Sequence, residues 1–164
     1  MFFAIAALIV SADQLTKWLV RQNLDLYEQW PEHSFLHMRI INVVNDGAAF
    51  GMLQGHMPFL IVTSCVGLAA IVLYYVYPPM DHGLIRVALG MQLGGAIGNL
   101  IDRVRVGEVT DFINVGRFPT FNVADSSISV SIAAVLIFFA LQEIDDNRKQ
   151  KRTSDAGSAA TEHD

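Results

Sequence analysis

Met57 to Tyr77 reads M-P-F-L-I-V-T-S-C-V-G-L-A-A-I-V-L-Y-Y-V-Y, twenty-one residues without a charge. As a helix at about 1.5 Å per residue, it matches the roughly 30 Å hydrocarbon core of a bilayer. Tyr74, Tyr75 and Tyr77 close it, and aromatic rings favour the boundary between lipid and water. This stretch takes the chain out of the soluble class, and the composition agrees. Of 164 residues, 52% are hydrophobic and 16% charged, with a mean hydropathy of +0.39. A soluble domain carries about a quarter charged residues.

Downstream, Pro78, Pro79, Asp81 and Gly83 make a short turn, so the next helix must run back antiparallel. That third span covers about 84–101. Its Gly90, Gly94 and Gly98 recur every four residues, with Gly95 and Ala96 beside them, which lets another helix backbone approach closely. The fourth span covers about 126–143. Upstream, the first span covers about 2–21 and lacks the positively charged start of a signal peptide, so it is expected to stay uncleaved. Asp13 and Lys17 interrupt it four residues apart, on one helical face. They make either a local ion pair at the membrane surface or an interior prop for a site.

The expected fold is therefore an all-α polytopic membrane protein of four transmembrane helices in one domain, residues 1–145. Loops 22–56 and 102–125 share one side, and both termini share the other. Arg148, Lys149, Lys151 and Arg152 crowd just past the last span, which makes the side of the termini cytoplasmic. Arg21, Arg39, Arg103, Arg105 and Arg117 then lie outside and call for a structural or catalytic reason. The polar tail 146–164 is expected to be disordered from Thr153 onward. Within the first loop, Asn23 to Glu32 reads as irregular surface chain and Phe35–Val44 as a strand. Asn45-Asp46-Gly47 reads as a tight turn in which Gly47 can take positive φ, and Ala48–Gly55 as a short helix.

A formal net charge of −5 argues against a nucleic-acid partner. The single cysteine, Cys65, is expected to be a buried small hydrophobe. His33, His37 and His56 lack metal-ligand spacing, so no metal or other cofactor is expected.

Chemistry concentrates in V-T-D-F-I-N-V-G-R-F-P-T-F-N-V-A-D, Val109 to Asp125. Asp111 reads as an exposed strand residue, and Asp125, ahead of Ser126 and Ser127, reads as a helix N-cap. Together they also read as a carboxylate dyad in which one member takes the proton of water while the other protonates a carbonyl or leaving amine. Gly116 and Pro119 turn the chain between them. Asn45, Asn99 and Asn122 are neutral groups able to orient carboxylates. Arg103 is able to hold an acidic or phosphate group. The topology gathers all of these, with Lys17, at one membrane surface.

The blocks D-Q-L-T-K at 13–17, N-D-G-A-A-F at 45–50, G-G-A-I-G-N-L-I-D-R at 94–103, V-T-D-F at 109–112 and F-N-V-A-D at 121–125 occur in that order. In this the chain resembles the lipoprotein signal peptidases, also called signal peptidase II. The resemblance implies an aspartyl endopeptidase that needs no metal. Such an enzyme removes signal peptides from diacylglyceryl-modified prolipoproteins, cutting before the lipid-carrying cysteine. It implies Asp111 and Asp125 as the catalytic pair, with Asp13, Lys17, Asn45, Gly47, Asn99, Arg103 and Asn122 supporting them. It also implies a small extracytoplasmic sheet and a short helix over the site, which Phe35–Val44 and Ala48–Gly55 suit. The expected partners are lipidated precursors and membrane lipids, met by a monomer in the bacterial cytoplasmic membrane. The competing reading is a small proton-coupled transporter with Asp13, Lys17 and Asp102 as its relay. An uncharged Met57–Tyr77 and polar residues gathered on one side oppose it. A serine or zinc protease is opposed by the absence of G-x-S-x-G and HExxH.

Overall fold

The computed structural model describes residues 1–35, 37–47 and 55–161, with 32–35 and 151–161 as backbone alone. Its elements are α1 (Phe2–Asn23), β1 (Gln29–Phe35), β2 (Met38–Asn45), α2 (Met57–Val76), α3 (Gly83–Arg105), β3 (Val109–Val115) and α4 (Val123–Thr161). All four helices are long and apolar enough to cross a membrane. The three strands form an antiparallel sheet in the order β1-β2-β3, at the end of the bundle where α1 and α3 finish and α4 starts.

Helix α3 is the hub, packed on by α1, α4 and α2. Its glycines make that possible. A Cβ on Gly90 would lie 2.8 Å from the Phe2 carbonyl oxygen, and one on Gly94 would lie 2.7 Å from that of Ala6. A Cβ on Gly98 would lie 2.6 Å from Asp13 Oδ2, and one on Gly95 would lie 2.6 Å from the Ala124 carbonyl oxygen of α4. The four-residue stripe therefore presses α1 against α3 at backbone range, and Gly95 on a neighbouring face does the same for α4. At the far end of the bundle the contact is apolar, with Phe2 stacked on Tyr75 at 4.0 Å and Ala6 and Leu93 buried beside them. Gly98→Ala is expected to lower the thermal midpoint in detergent by the equivalent of about 1–3 kcal/mol, the usual cost of overpacking. Gly67→Ala, with nothing within 4 Å of the new methyl, leaves the midpoint unchanged.

The structure departs from the sequence reading in several places. Chain read as irregular forms β1, which pairs with β2 through Gln29–Ile41, Trp30–Ile40 and Phe35–Met38. Pro31 and the charged neighbours of this strand hid its alternation, and partner pairing supplied what local propensity lacked. The Phe35–Val44 signal is split by the turn at His37 (φ 60). The helical turn expected over Ala48–Gly55 lies, but for Gly55, outside the described residues. Cys65 is exposed, not buried. Helix α2 leans on α3 along one side only, and a spanning helix is free to turn apolar side chains outward. Finally, α4 does not stop near Glu143 but runs 39 residues to Thr161. Glu143, Arg148, Lys149 and Gln150 are good helix formers, and Lys149 pairs with Asp145 at 2.7 Å across one turn.

Candidate active site

Strand β3 carries Asp111, and its register on β2 decides what that carboxyl meets. Asn45 pairs with Val109 and Val43 with Asp111, so Asn45 and Asp111 are diagonal neighbours on one face of the sheet. Asn45 Nδ2 donates to Asp111 Oδ2 at 2.9 Å. Beyond β3 the chain turns at Gly116 (φ 56) and comes back. Phe121 then bridges Ile113, accepting from the Phe112 and Ile113 N–H groups and donating to the Ile113 oxygen. That return brings Asn122 beside Asp111, and its Nδ2 donates to Asp111 Oδ1 at 2.7 Å.

Asn122 also starts α4. Its Oδ1 accepts the Asp125 N–H at 2.9 Å, and Asp125 Oδ2 accepts the Asn122 N–H at 3.3 Å. This is a reciprocal capping box, so the N-cap is Asn122 and Asp125 is its third-position partner. The cap reading had the right motif on the wrong residue, because Val123 and Ala124 already belong to the helix. Asp125 Oδ1 accepts from Asn99 Nδ2 at 2.8 Å. All four carboxylate oxygens of the pair therefore accept a donor, and one residue, Asn122, touches both carboxylates.

Beneath lies a second polar layer. Lys17 is fully buried and points its ammonium at Asp13 Oδ2 (2.9 Å), Asp102 Oδ2 (3.2 Å) and Asn99 Oδ1 (2.9 Å). Three acceptors meet three protons. Asp13, itself fully buried, uses its other oxygen to accept the Ala124 N–H at 3.0 Å, in the first turn of α4. The reading of Asp13 and Lys17 as an interior prop is the one that the geometry matches. Asp102 accepts the Thr110 N–H at 3.2 Å, and Arg21 donates to Thr110 Oγ1 at 2.9 Å. Gln14 donates to Asp13, Asp102 and the Gly98 carbonyl oxygen. One cluster thus ties α1, α3, β3 and α4 together.

Above the pair opens a cavity of about 580 Å³. Asn45, Gly47, Asn99, Arg103, Asp111 and Asp125 supply its polar wall, while Phe118, Phe121, Ile128 and Val130 supply an apolar one. Among the described residues, Arg103 Nε is buried without a hydrogen-bond partner. Asn122, Asp13 and Lys17 lie behind this wall. Gln14 and Thr110 were not singled out in the sequence, Asp102 was named only in the transporter relay, and Arg21 only as an outside cation in want of a role. Asp102 follows Asn99 by three residues and shares its helical face, a usable signal. Gln14 lies inside D-Q-L-T-K. Thr110 lies inside V-T-D-F.

Asp111 is only 3% exposed. Burial pushes its carboxyl from the ordinary 3.8 up to about 6. The Asn45 hydrogen bond opposes this, the charge of Asp125 adds to it, and Asn122 and Lys17 oppose it further. A carboxylic acid held near neutrality can donate a proton that an ordinary aspartate has already lost. The same shift bears on stability. As pH rises from 3.8 to about 6, the unfolded chain releases this proton before the folded one does. Stability therefore falls across that window and levels off above it. Asp111→Asn is expected to remove this part of the fall, read as thermal midpoint against pH.

The family model for signal peptidase (SPase) II matches residues 5–141. A lipoprotein signal peptidase of Bacillus subtilis is 41% identical over 155 residues, covering 92% of this chain and 98% of that protein. One of Dehalococcoides mccartyi is 43% identical over 142 residues, covering 84% and 88%. A solved bacterial membrane enzyme superposes with a TM-score of 0.80 at 33% identity, covering 89% of this chain and 90% of its own.

Proposed function

Since the chain belongs to the signal peptidase II family, we propose that Asp111 and Asp125 are its catalytic pair. The chain is a multi-pass bacterial membrane peptidase that removes signal peptides from prolipoproteins. The observation that carries the assignment of the pair is the bridging Asn122, which holds one oxygen of each carboxylate at the floor of a single cavity. Water held between the carboxylates loses a proton to one while the other protonates the scissile carbonyl. Arg103, with donors facing the cavity, meets the substrate's carbonyl or phosphate oxygens. Asn45, Gly47, Asn99 and Asn122 orient the pair, and Asp13 and Lys17 hold the helices that carry it.

The cut falls on the N-terminal side of the lipid-modified cysteine, with the acyl chains remaining in the bilayer along the apolar wall of α4. Both termini are cytoplasmic, by the basic cluster 148–152, and the site faces outward. Residues 1–145 act as one domain, as a monomer among membrane lipids. The transporter reading loses its basis, because Asp13, Lys17 and Asp102 are closed onto one another at one end of the bundle and α2 carries no charge. The test is incubation of the purified enzyme with lipidated and unlipidated precursor, followed by mass spectrometry of the products. Cleavage of the lipidated form alone, directly before the modified cysteine, is the expected result. Equal cleavage of both forms sinks the substrate assignment.

A further inference from the structure

The three asparagines of the site are held in one orientation each. The Gly47 N–H lies 3.0 Å from Asn45 Oδ1, the Asp125 N–H 2.9 Å from Asn122 Oδ1, and the Lys17 ammonium 2.9 Å from Asn99 Oδ1. Each of these partners can only donate, so each amide must turn its NH2 the other way, toward a carboxylate. Asp111 receives the amides of Asn45 and Asn122, and Asp125 receives that of Asn99.

The backing of these donors differs. Behind Asn45 and Asn122 stand neutral backbone N–H groups. Behind Asn99 stands a full positive charge. Donation into an amide oxygen strengthens the N–H of the same amide, so the ammonium acts on Asp125 through a single side chain. Asn122 does not pass this on to Asp111, because it donates to Asn99 Oδ1 (3.1 Å) and does not accept from it. Asp125 also lies in the first turn of α4, where the helix dipole favours an anion. Asp111 lies on a strand, nearly sealed from solvent. Among the described residues, the other charged groups around the pair and its support are Asp13 and Arg21 of α1 and Asp102 and Arg103 of α3. Asp13 and Asp102 are compensated by Lys17.

We propose that Lys17 is a positioning residue that breaks the symmetry of the dyad, keeping Asp125 ionised as the base through Asn99 and leaving the shared proton on Asp111 as the acid. This rests on the catalytic pair proposed above. Asp125 then takes a proton from water as the water oxygen bonds to the carbonyl carbon, and Asp111 gives its proton to the carbonyl oxygen. The proton on Asp125 next passes to the leaving nitrogen as the C–N bond breaks. A hydroxyl of the diol returns its proton to Asp111, restoring both groups.

The test joins the pH–rate profile for a lipidated precursor with infrared titration of the protonated-carboxyl band. Asn99→Ala keeps the Lys17–Asp13–Asp102 cluster and so serves beside Lys17→Met, which risks unfolding. Asn99→Ala is expected to move the acid limb up by about one pH unit, a tenfold gain in proton affinity at the base, and to leave the alkaline limb in place. Asn45→Ala moves the alkaline limb up instead. The carboxyl band at about pH 5.5, between the ordinary carboxyl range and neutrality, is expected to vanish in Asp111→Asn and persist in Asp125→Asn. The opposite band assignment, or an acid limb that ignores Asn99→Ala, overturns the proposal. Normal cleavage by either aspartate variant would overturn the catalytic pair itself, a separate result from the same proteins.

Discussion

Asp111→Asn and Asp125→Asn are each expected to reduce cleavage of a lipidated precursor by about 10²–10⁴-fold, the range lost with a general acid or base. The double variant is expected to be little slower than either single one, because acid and base act as a unit on one water and one carbonyl. Both proteins should still insert and fold. Asparagine has the shape of aspartate, and Asp111→Asn removes an ionisation that the fold disfavours, since burial raises that carboxyl to about 6. Product formation followed by mass spectrometry, alongside a thermal melt of each variant, separates lost chemistry from lost structure. Retention of more than about a tenth of the rate by either folded variant contradicts an acid–base role of this size.

Lys17→Met carries the second large expectation, this time on stability. The ammonium compensates two carboxylates that are almost wholly sealed off, Asp13 at 0% and Asp102 at 1% exposure. Removing one member of a buried ion group costs about 3–5 kcal/mol, mostly by leaving the partner charge uncompensated. Here the damage spreads, because Asp13 also holds the first turn of α4 through Ala124 and Asp102 holds β3 through Thr110. The expected result is a sharply lowered thermal midpoint in detergent, partly restored by adding Asp13→Asn or Asp102→Asn. Partial restoration is the signature of stranded charge; a simple packing loss would be deepened by the second change. Arg86→Gln is the control. Its pair with Asp81 is open to water, with 46% and 65% exposure, and such pairs contribute about 0–1 kcal/mol.

These expectations also mark how far the chain could be read before folding. The spans were legible because a membrane imposes a length and a polarity on contiguous residues, and both are local properties. The glycine stripe was legible because close helix approach writes a four-residue period. Asp111, Asp125 and the three asparagines were legible as types because unpaired polar groups are costly beside apolar spans. Strand β1 was not, since its stability comes from β2 rather than from its own residues. Nor was the end of α4, where charged helix formers carry the helix past the apolar span. The cap of α4 was misread by three residues because Asn122 and Asp125 are both good capping types, and only backbone geometry separates the cap from its partner.

By itself, the sequence determined that this chain has four helices fit to cross a membrane and carries its candidate site residues at one end. Those are consequences of composition and period along the chain. Which atom of each asparagine faces a carboxylate, that Lys17 sits beneath Asn99, and that Asp102 joins the support were decided only by the tertiary structure. Hydrogen-bond direction depends on what stands on the far side of each amide: the Gly47 N–H behind Asn45, the Asp125 N–H of α4 behind Asn122, and Lys17 of α1 behind Asn99, 82 residues away in the chain.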